Sequence, residues 1–273
     1  MSLTVNTNIA SLNAQRDLNS TENMLSVSME QLSSGLRINQ AADDVAGYAI
    51  SQGLEGQING LSQAYQNSQF AVALVQTGQG AMNDVENLLQ RIRTLAVQYE
   101  NGTNSEENKT AIKEEVSELQ AEVKRVGEKT EFDGKNLLNE AATIKFQVGA
   151  NAKETIEVKT IKLAEGAKVK KALEAGLITG GEGKPITEVN EAIQEVATLA
   201  GKFGSVQNRL QYTQSNIEVY TQNESAANAA IKDVNMAEAM ANFTKQQVLQ
   251  QAGVAILAQA NALPQAVLKL VGG

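Results

Sequence analysis

The sequence predicts a mainly α-helical protein, in which long antiparallel helices form a terminal coiled-coil domain and a helical outer domain with a small β-hairpin. Two observations favour long helices: the 273 residues include only two prolines, and apolar residues recur at spacings of three and four along most of the chain. A third observation locates the hairpin, because apolar and polar residues alternate with a period of two at about residues 143–160. Aromatic residues make up 4% of the chain and tryptophan is absent, which is typical of a long-helix protein more than of an enzyme with a large pocket.

The two ends of the chain carry few charges for helices exposed to water. Residues 1–42 and residues 231–273 hold five Asp, Glu, Lys or Arg side chains each, whereas residues 93–135 hold seventeen. Small and neutral polar side chains stand where an exposed helix normally presents charge, and such groups are easier to bury than charges. We therefore predict that both ends pack against other protein.

Apolar stripes run along both ends at coiled-coil spacing. The predicted assembly seam consists of the large aliphatic residues Leu18, Leu25, Leu32, Leu249, Ile256, Leu263 and Leu270. This seam alone offers little apolar burial against the entropy of ordering both ends, so we expect the ends to become helical only on association. A stable intramolecular pairing of the two end helices is the alternative. Pro264 falls inside the C-terminal stripe and should kink or interrupt that helix.

The first part of the middle segment predicts two helices joined by a turn. Residues 43–99 show helical spacing, and the glycines at 53–60 leave a break in that helix open. An Asn-Gly turn signal at 101–104 precedes a second helix at 105–129, whose apolar stripe is accompanied by Glu and Lys. Ser105 followed by two glutamates is a favourable start, because acidic side chains suit the first turn of a helix.

The rest of the middle segment predicts a hairpin, an irregular stretch and a third long helix. The hairpin lies at about 143–160, and the variable segment 161–185 includes a short helical stretch near 169–177. Pro185 then opens the helix, as proline does in a first turn. We place the inner domain at 1–42 plus 231–273 and the outer domain at 43–230, with the chain returning antiparallel on itself.

Composition and motifs predict neither an enzyme nor a cofactor or metal site. The chain has no cysteine and no histidine, which excludes thiolate chemistry, histidine-dependent triads and ordinary zinc sites. A net charge of −8 argues against general nucleic-acid binding, and no apolar run reaches the length of a membrane span. The pair Asp43 and Asp44 has no supporting cluster, so we predict a structural turn or an ion pair with Arg37. Gly183-Lys184 lacks the other residues of a phosphate-binding loop.

Several segments, taken in order, resemble the signatures of bacterial flagellins. They are LSSGLRIN at 32–39, ADDVAGYAIS at 42–51, LQRIRTLAVQ at 89–98, FDGK at 132–135, FQVGAN at 146–151, LQQA at 249–252, LAQAN at 257–261 and PQ at 264–265. The resemblance covers nearly the whole chain. Because 161–185 leaves no room for the large central surface domains of many flagellins, the sequence is similar to a minimal form of the family.

The resemblance implies a structural subunit that self-assembles into the filament of the bacterial flagellum for motility. It implies that the terminal helices line the filament channel and drive assembly. The implied partners are further copies of the chain, the flagellar type III export apparatus, a flagellin chaperone, and the filament cap and junction proteins. The implied location is secreted and extracellular, in the filament, without a cleaved signal peptide.

The resemblance also implies a surface recognised by a host Toll-like receptor. By motif, its residues are Arg91, Leu95 and Glu115, and Thr94 departs from the glutamate that the motif usually has. The same stretch would also pack subunits together.

Two other functions compete with a filament subunit. A hook–filament junction protein shares the terminal-helix plan but does not propagate, so open-ended polymerisation separates the two. A non-polymerising helical adaptor would stay monomeric or form a closed oligomer, with ordered, protease-resistant ends.

Overall fold

The fold is mainly α-helical, as predicted, and carries a small antiparallel hairpin. The computed structural model describes residues 7–163, 166–174, 177 and 183–271, with side chains described as far as residue 262. Backbone contacts divide the chain into two compact units: unit 1 is Met1–Gly56 with Asn223–Gly273, and unit 2 is Gln57–Gln222.

In unit 1 the two end helices pair with each other. Helix α1 spans Ile9–Ser34, and helix α6, the last in the chain, spans Met236–Val271. Leu18 packs against the bare backbone of Gly253, where an added β-carbon would lie 3.2 Å from Leu18 Cδ1. The structure thus shows the two end helices paired within one chain, with capping and cross-helix polar contacts beside the apolar seam. The expectation that the ends become helical only on association stays a prediction.

Helix α2 spans Val45–Tyr99 as one continuous helix. The break considered at 53–60 does not occur, because a glycine inside a helix costs only about 1 kcal/mol relative to alanine and a helix of this length absorbs it. Gly60 is used for close packing in unit 2, since a β-carbon there would lie 3.0 Å from Ala150 Cβ.

Helix α3 follows α2 after a short turn and begins as the sequence predicts. It spans Glu106–Lys129, and the Ser105 hydroxyl caps it by accepting a hydrogen bond from Asn108 N–H at 3.3 Å. Its buried face includes Ile112, Val116 and Val123, which all belong to the predicted stripe.

The described part of unit 2 contains two antiparallel hairpins, of which one was predicted. Strands β3 (Thr143–Gln147) and β4 (Thr155–Lys159) form the predicted hairpin, with Lys145 opposite Glu157. Strands β1 (Glu131–Phe132) and β2 (Lys135–Asn136) form a second, smaller hairpin that was not predicted. Asp133 and Gly134 turn its chain with φ values of 51° and 72°, the left-handed conformation that a two-residue hairpin turn requires.

The remaining helices are α4 (Ala167–Ala172) and α5 (Lys184–Lys232). The variable segment 161–185 falls partly outside the described residues, and its short helix begins and ends earlier than 169–177. The core of unit 2 includes heptad positions of the long helices α2 and α5 beside residues of α3 and the hairpin β3–β4. Its fully buried members include Met82, Leu89, Ala96, Val196, Phe203 and Leu210.

The two units divide inside α2 and α5, beyond the predicted domain boundaries at 42/43 and 230/231. Those boundaries follow the change in charge density at the inter-helix connectors. Helices α2 and α5 both extend well beyond these connectors. The division between the units therefore follows which helices pack together, and it does not coincide with the change in charge density.

Candidate assembly surface

Unit 1 leaves most of its large apolar side chains in contact with solvent. It holds thirteen of the eighteen exposed large apolar side chains in the described residues. They are Ile9, Leu12, Met24, Val27, Met29, Val45, Ile50, Met236, Met240, Val248, Leu249, Val254 and Ile256. Among the described residues of this unit, Ile38 is the one large apolar side chain that is fully buried. Exposed apolar surface of this extent is typical of an interaction surface.

The predicted seam divides between two faces. Leu18, Leu25 and Leu32 are half-buried, as expected for the face of α1 that packs on α6. Leu249 and Ile256 are 45% and 60% exposed, so they lie on a more exposed face of α6. Leu263 and Leu270 lie in the last part of α6, outside the residues whose side chains are described.

The face of α6 that packs on α1 is a different stripe. Its least exposed residues are Phe243, Gln246, Gln250, Gly253, Leu257 and Ala260, again at spacings of three and four. Gln246 Nε2 lies 3.7 Å from Met24 Sδ, and Ser11 Oγ donates a hydrogen bond to Asn261 Oδ1 at 2.7 Å. Helix α6 therefore uses one stripe within the chain and leaves Leu249 and Ile256 available for another molecule.

The two connectors of unit 1 are joined by backbone hydrogen bonds. Arg37 N–H donates to Lys232 carbonyl oxygen at 2.7 Å, and Val234 N–H donates to Gly35 carbonyl oxygen at 3.0 Å. Arg37 Nη2 also donates to the Ile231 carbonyl oxygen at 2.6 Å. We call these joined segments, residues 35–44 and 231–235, the connector clasp. It holds the start of α6 against the end of α1.

The paired carboxylates at 43 and 44 lie in the connector clasp and form the predicted structural turn and ion pair with Arg37. Asp43 Oδ2 accepts hydrogen bonds from the backbone N–H groups of Gln40 at 3.0 Å and Asn39 at 2.9 Å, and these bonds lower the pKa of the Asp43 carboxyl. Asp44 Oδ2 lies 4.0 Å from Arg37 Nη1, and Asp44 Oδ1 accepts from Gly47 N–H at 2.9 Å. Both carboxylates therefore serve structural roles.

Gly47, in the first turn of α2, lets Ile38 and Asp44 of the connector clasp pack closely against this helix. A β-carbon on this residue would lie 2.5 Å from Asp44 Oδ2 and 2.7 Å from Ile38 Cδ1. Side chains cannot approach so closely, so the absence of a side chain at 47 lets Ile38 reach its buried position.

In unit 2, two of the three predicted receptor residues meet on the surface. Arg91 Nη2 and Nε donate to Glu115 Oε1 at 2.6 and 3.0 Å, and the two side chains are 54% and 44% exposed. Leu95 is instead 2% exposed and belongs to the core of unit 2. It lies on the apolar face of α2 with Ile92 and Ala96, and its role as a receptor residue stays a prediction.

Among the described residues, no cluster of three or more His, Cys, Asp or Glu side chains could hold a metal ion. Within the same residues, no helix combines the length and the apolar character needed to cross a membrane.

Comparison with known proteins decides the family. The family model for the bacterial flagellin N-terminal helical region matches residues 5–143, and the one for the C-terminal helical region matches residues 186–271. The chain belongs to the bacterial flagellin family. A flagellin of Halalkalibacterium halodurans is 41% identical over 269 residues, which cover 98% of this chain and 99% of that protein.

Two further flagellin-family relatives match over their full length. A flagellin of Bacillus subtilis is 40% identical over 302 residues and covers 98% of this chain and 99% of that protein. The flagellar filament 33 kDa core protein of Treponema phagedenis is 35% identical over 283 residues, with the same coverage.

The flagellin signature at 32–51 covers the end of α1, the first segment of the connector clasp (35–44) and the start of α2. Sequence periodicity did not reveal this clasp, because its contacts are backbone hydrogen bonds between segments almost 200 residues apart. Gly35, which has a φ of 74° and ends α1, was the local signal that could have located it.

Proposed function

We infer that the chain, a structural subunit of the bacterial flagellar filament, polymerises through the exposed apolar faces of unit 1. The observation that carries this inference is the distribution of apolar surface. Unit 2 buries a large core of its own, whereas the described part of unit 1 buries Ile38 and leaves thirteen large apolar side chains exposed. Burying such side chains against a second copy stabilises an assembly by about 25 cal/mol per Å² of apolar surface.

The two faces of α6 have different partners in the proposed assembly. The stripe through Gly253 packs on α1 within the chain. Leu249 and Ile256 bury against neighbouring copies without first leaving an intramolecular partner. An open helical polymer requires that the contacting surfaces of successive copies differ, so we propose that Leu249 and Ile256 make a heterologous contact.

Family membership supports the finer proposals about partners and location. We propose that the chain is exported through the flagellar type III apparatus with a flagellin chaperone. It then meets the filament cap and junction proteins and ends in the extracellular filament. Its role is structural, with no catalytic step.

We propose a host Toll-like receptor as a further partner, and the exposure of the three motif residues supports one contact surface for it. Arg91 and Glu115 are exposed and paired, whereas Leu95 is buried. The proposed surface is therefore the Arg91–Glu115 pair itself, with Leu95 holding α2 in place beneath it.

Seeded polymerisation of purified monomer tests the main proposal. Monomer is incubated with short filament seeds and a precipitating salt, and negative-stain microscopy measures the length of the products. Long uniform filaments are expected. Particles that stay small, or that add a single layer to seeds and stop, contradict the proposal and favour an adaptor or a junction protein.

A further inference from the structure

The methionines of the chain are concentrated on the exposed helices of unit 1. Within the described residues, Met24 and Met29 on α1 and Met236 and Met240 on α6 are 45–55% exposed. Met82, in the core of unit 2, is fully buried. We call Met24, Met29, Met236 and Met240 together the methionine patch.

The methionine patch occupies one end of the α1–α6 pair. Leu18 contacts Gly253 at one level of this antiparallel pair, and Gly35 is hydrogen-bonded to Val234 at its closed end. All four methionines lie between these two levels along the helices. Thioether side chains are unbranched and adaptable, which suits a surface that packs against another protein.

We propose that the methionine patch makes assembly sensitive to peroxides, so that oxidation of these residues in the free subunit blocks polymerisation. This proposal rests on the proposed function of unit 1. The reaction is a two-electron oxidation in which the thioether sulfur attacks one oxygen of hydrogen peroxide. The S–O bond forms, the O–O bond breaks, and the other peroxide oxygen takes up a proton and leaves as water. The product is methionine sulfoxide.

The sulfoxide affects docking more than it affects the free subunit. In the free chain each patch side chain is about half exposed, so water can solvate the new S=O group. On docking, the oxygen loses that water, and the burial of a polar group without a full replacement for its hydrogen bonds to water is unfavourable. Once subunits have docked, the same burial excludes peroxide, so the filament protects methionines that the free subunit exposes.

The test compares free subunits with filaments. Wild-type monomer and preformed filaments receive the same dose of hydrogen peroxide, the reaction is quenched, and peptide mass spectrometry measures sulfoxide at each methionine. We expect oxidation of the methionine patch in the monomer, protection of the patch in filaments, and no oxidation of Met82 in either. Equal oxidation of the patch in monomer and filament overturns the proposal, and this readout needs no variant.

Seeded polymerisation then measures the effect on assembly. The critical concentration of oxidised monomer should rise by about tenfold or more, while circular dichroism shows the helical content of untreated monomer. The variant with Met24→Leu, Met29→Leu, Met236→Leu and Met240→Leu keeps the apolar surface and should polymerise equally well before and after peroxide. An unchanged critical concentration for oxidised wild type overturns this proposal alone. Failure of untreated wild type to polymerise contradicts the proposed function instead.

Discussion

The side-chain amide of Asn8 donates a hydrogen bond from Nδ2 to the backbone carbonyl oxygen of Ala260, 2.7 Å away. In an α-helix that carbonyl accepts the N–H of the residue four positions later, which here is Pro264 and has no N–H. Helix α6 nevertheless continues to Val271, so the interruption expected at Pro264 does not occur. Asn8 Oδ1 also caps α1 by accepting from Ser11 N–H at 3.1 Å. One side chain thus begins α1 and completes the hydrogen bonding of α6.

Replacing Asn8 by aspartate should loosen the end of α6 while α1 keeps its cap. The carboxylate still accepts from Ser11 N–H but offers no donor to Ala260, and a buried carbonyl without its partner costs about 1–3 kcal/mol. Native-state hydrogen exchange of Asn8→Asp should therefore show amides beyond Ala260 exchanging about tenfold faster. Asn13→Asp, the same change at an exposed position of α1, is the control. Wild-type protection beyond Ala260 in Asn8→Asp would contradict this account.

Ile256→Asp should separate folding from assembly. Ile256 is 60% exposed in the free chain, so the aspartate is solvated there and the thermal unfolding of the monomer should change little. In a docked assembly the charge would be buried without a partner, at a cost of several kcal/mol. Negative-stain microscopy with wild-type seeds should show no elongation.

The conservative variant Ile256→Met keeps the apolar surface and should still elongate seeds. Filaments of normal length from Ile256→Asp would show that Ile256 does not belong to the assembly surface.

The predicted helices follow from heptad spacing, because long amphipathic helices leave a strong periodic signal. The stripe of α6 that packs on α1 was missed for a physical reason. Gln246, Gln250 and Gly253 occupy half of its positions, since amides and a bare backbone suit close packing between helices. The sequence prediction relied on hydrophobicity and therefore placed the seam on the more apolar stripe through Leu249 and Ile256, which is exposed in the structure.

The segments that form the connector clasp and the β1–β2 hairpin are too short to show a periodic pattern of apolar residues, so periodicity could not predict them. The hairpin strands are two residues long, and the Asp133–Gly134 turn was the available indication. Among the predicted receptor residues, the structure shows an ion pair between Arg91 and Glu115 that motif matching did not predict. Motif matching could not tell that Leu95 is buried, because a motif records residue identity and not solvent exposure.

Gly47→Ala should destabilise unit 1. The added β-carbon would lie within 2.7 Å of both Ile38 and Asp44, and such overpacking costs about 1–3 kcal/mol. Gly53→Ala, in the same helix, is the matched control because a β-carbon there meets no atom within 4 Å. That control should stabilise the chain by about 0.4–1 kcal/mol. Thermal unfolding followed by circular dichroism compares the two, and equal shifts would show that the clasp tolerates a side chain at 47.

The Asp43 carboxyl should titrate below its ordinary pKa of 3.8, because the backbone N–H groups of Gln40 and Asn39 bond to its charged form. A lowered pKa means that Asp43 stabilises the connector clasp above the ordinary value, and that this contribution is lost as pH falls through the lowered pKa. Carbon-13 NMR titration should give a midpoint below 3.8 in the folded chain and an ordinary midpoint in urea. The amide signals of Asn39 and Gln40 should move with the same midpoint; a folded midpoint at or above 3.8 would be inconsistent with these bonds.

The proposed receptor surface predicts opposite consequences for Arg91 and Leu95. The Arg91–Glu115 pair is about half exposed, so Arg91→Ala should change the free energy of unfolding by about 1 kcal/mol or less. Leu95→Ala removes a side chain that is 2% exposed and should cost about 2–5 kcal/mol.

Receptor binding by purified variants, measured beside thermal unfolding, distinguishes contact from support. Arg91→Ala should weaken binding without lowering the melting temperature, since its guanidinium is available to a partner once it leaves Glu115. Leu95→Ala should weaken binding only in proportion to its loss of folded structure. If Leu95→Ala abolishes binding while the chain remains fully folded, Leu95 contacts the receptor directly, and the receptor must then select a conformation in which α2 exposes it.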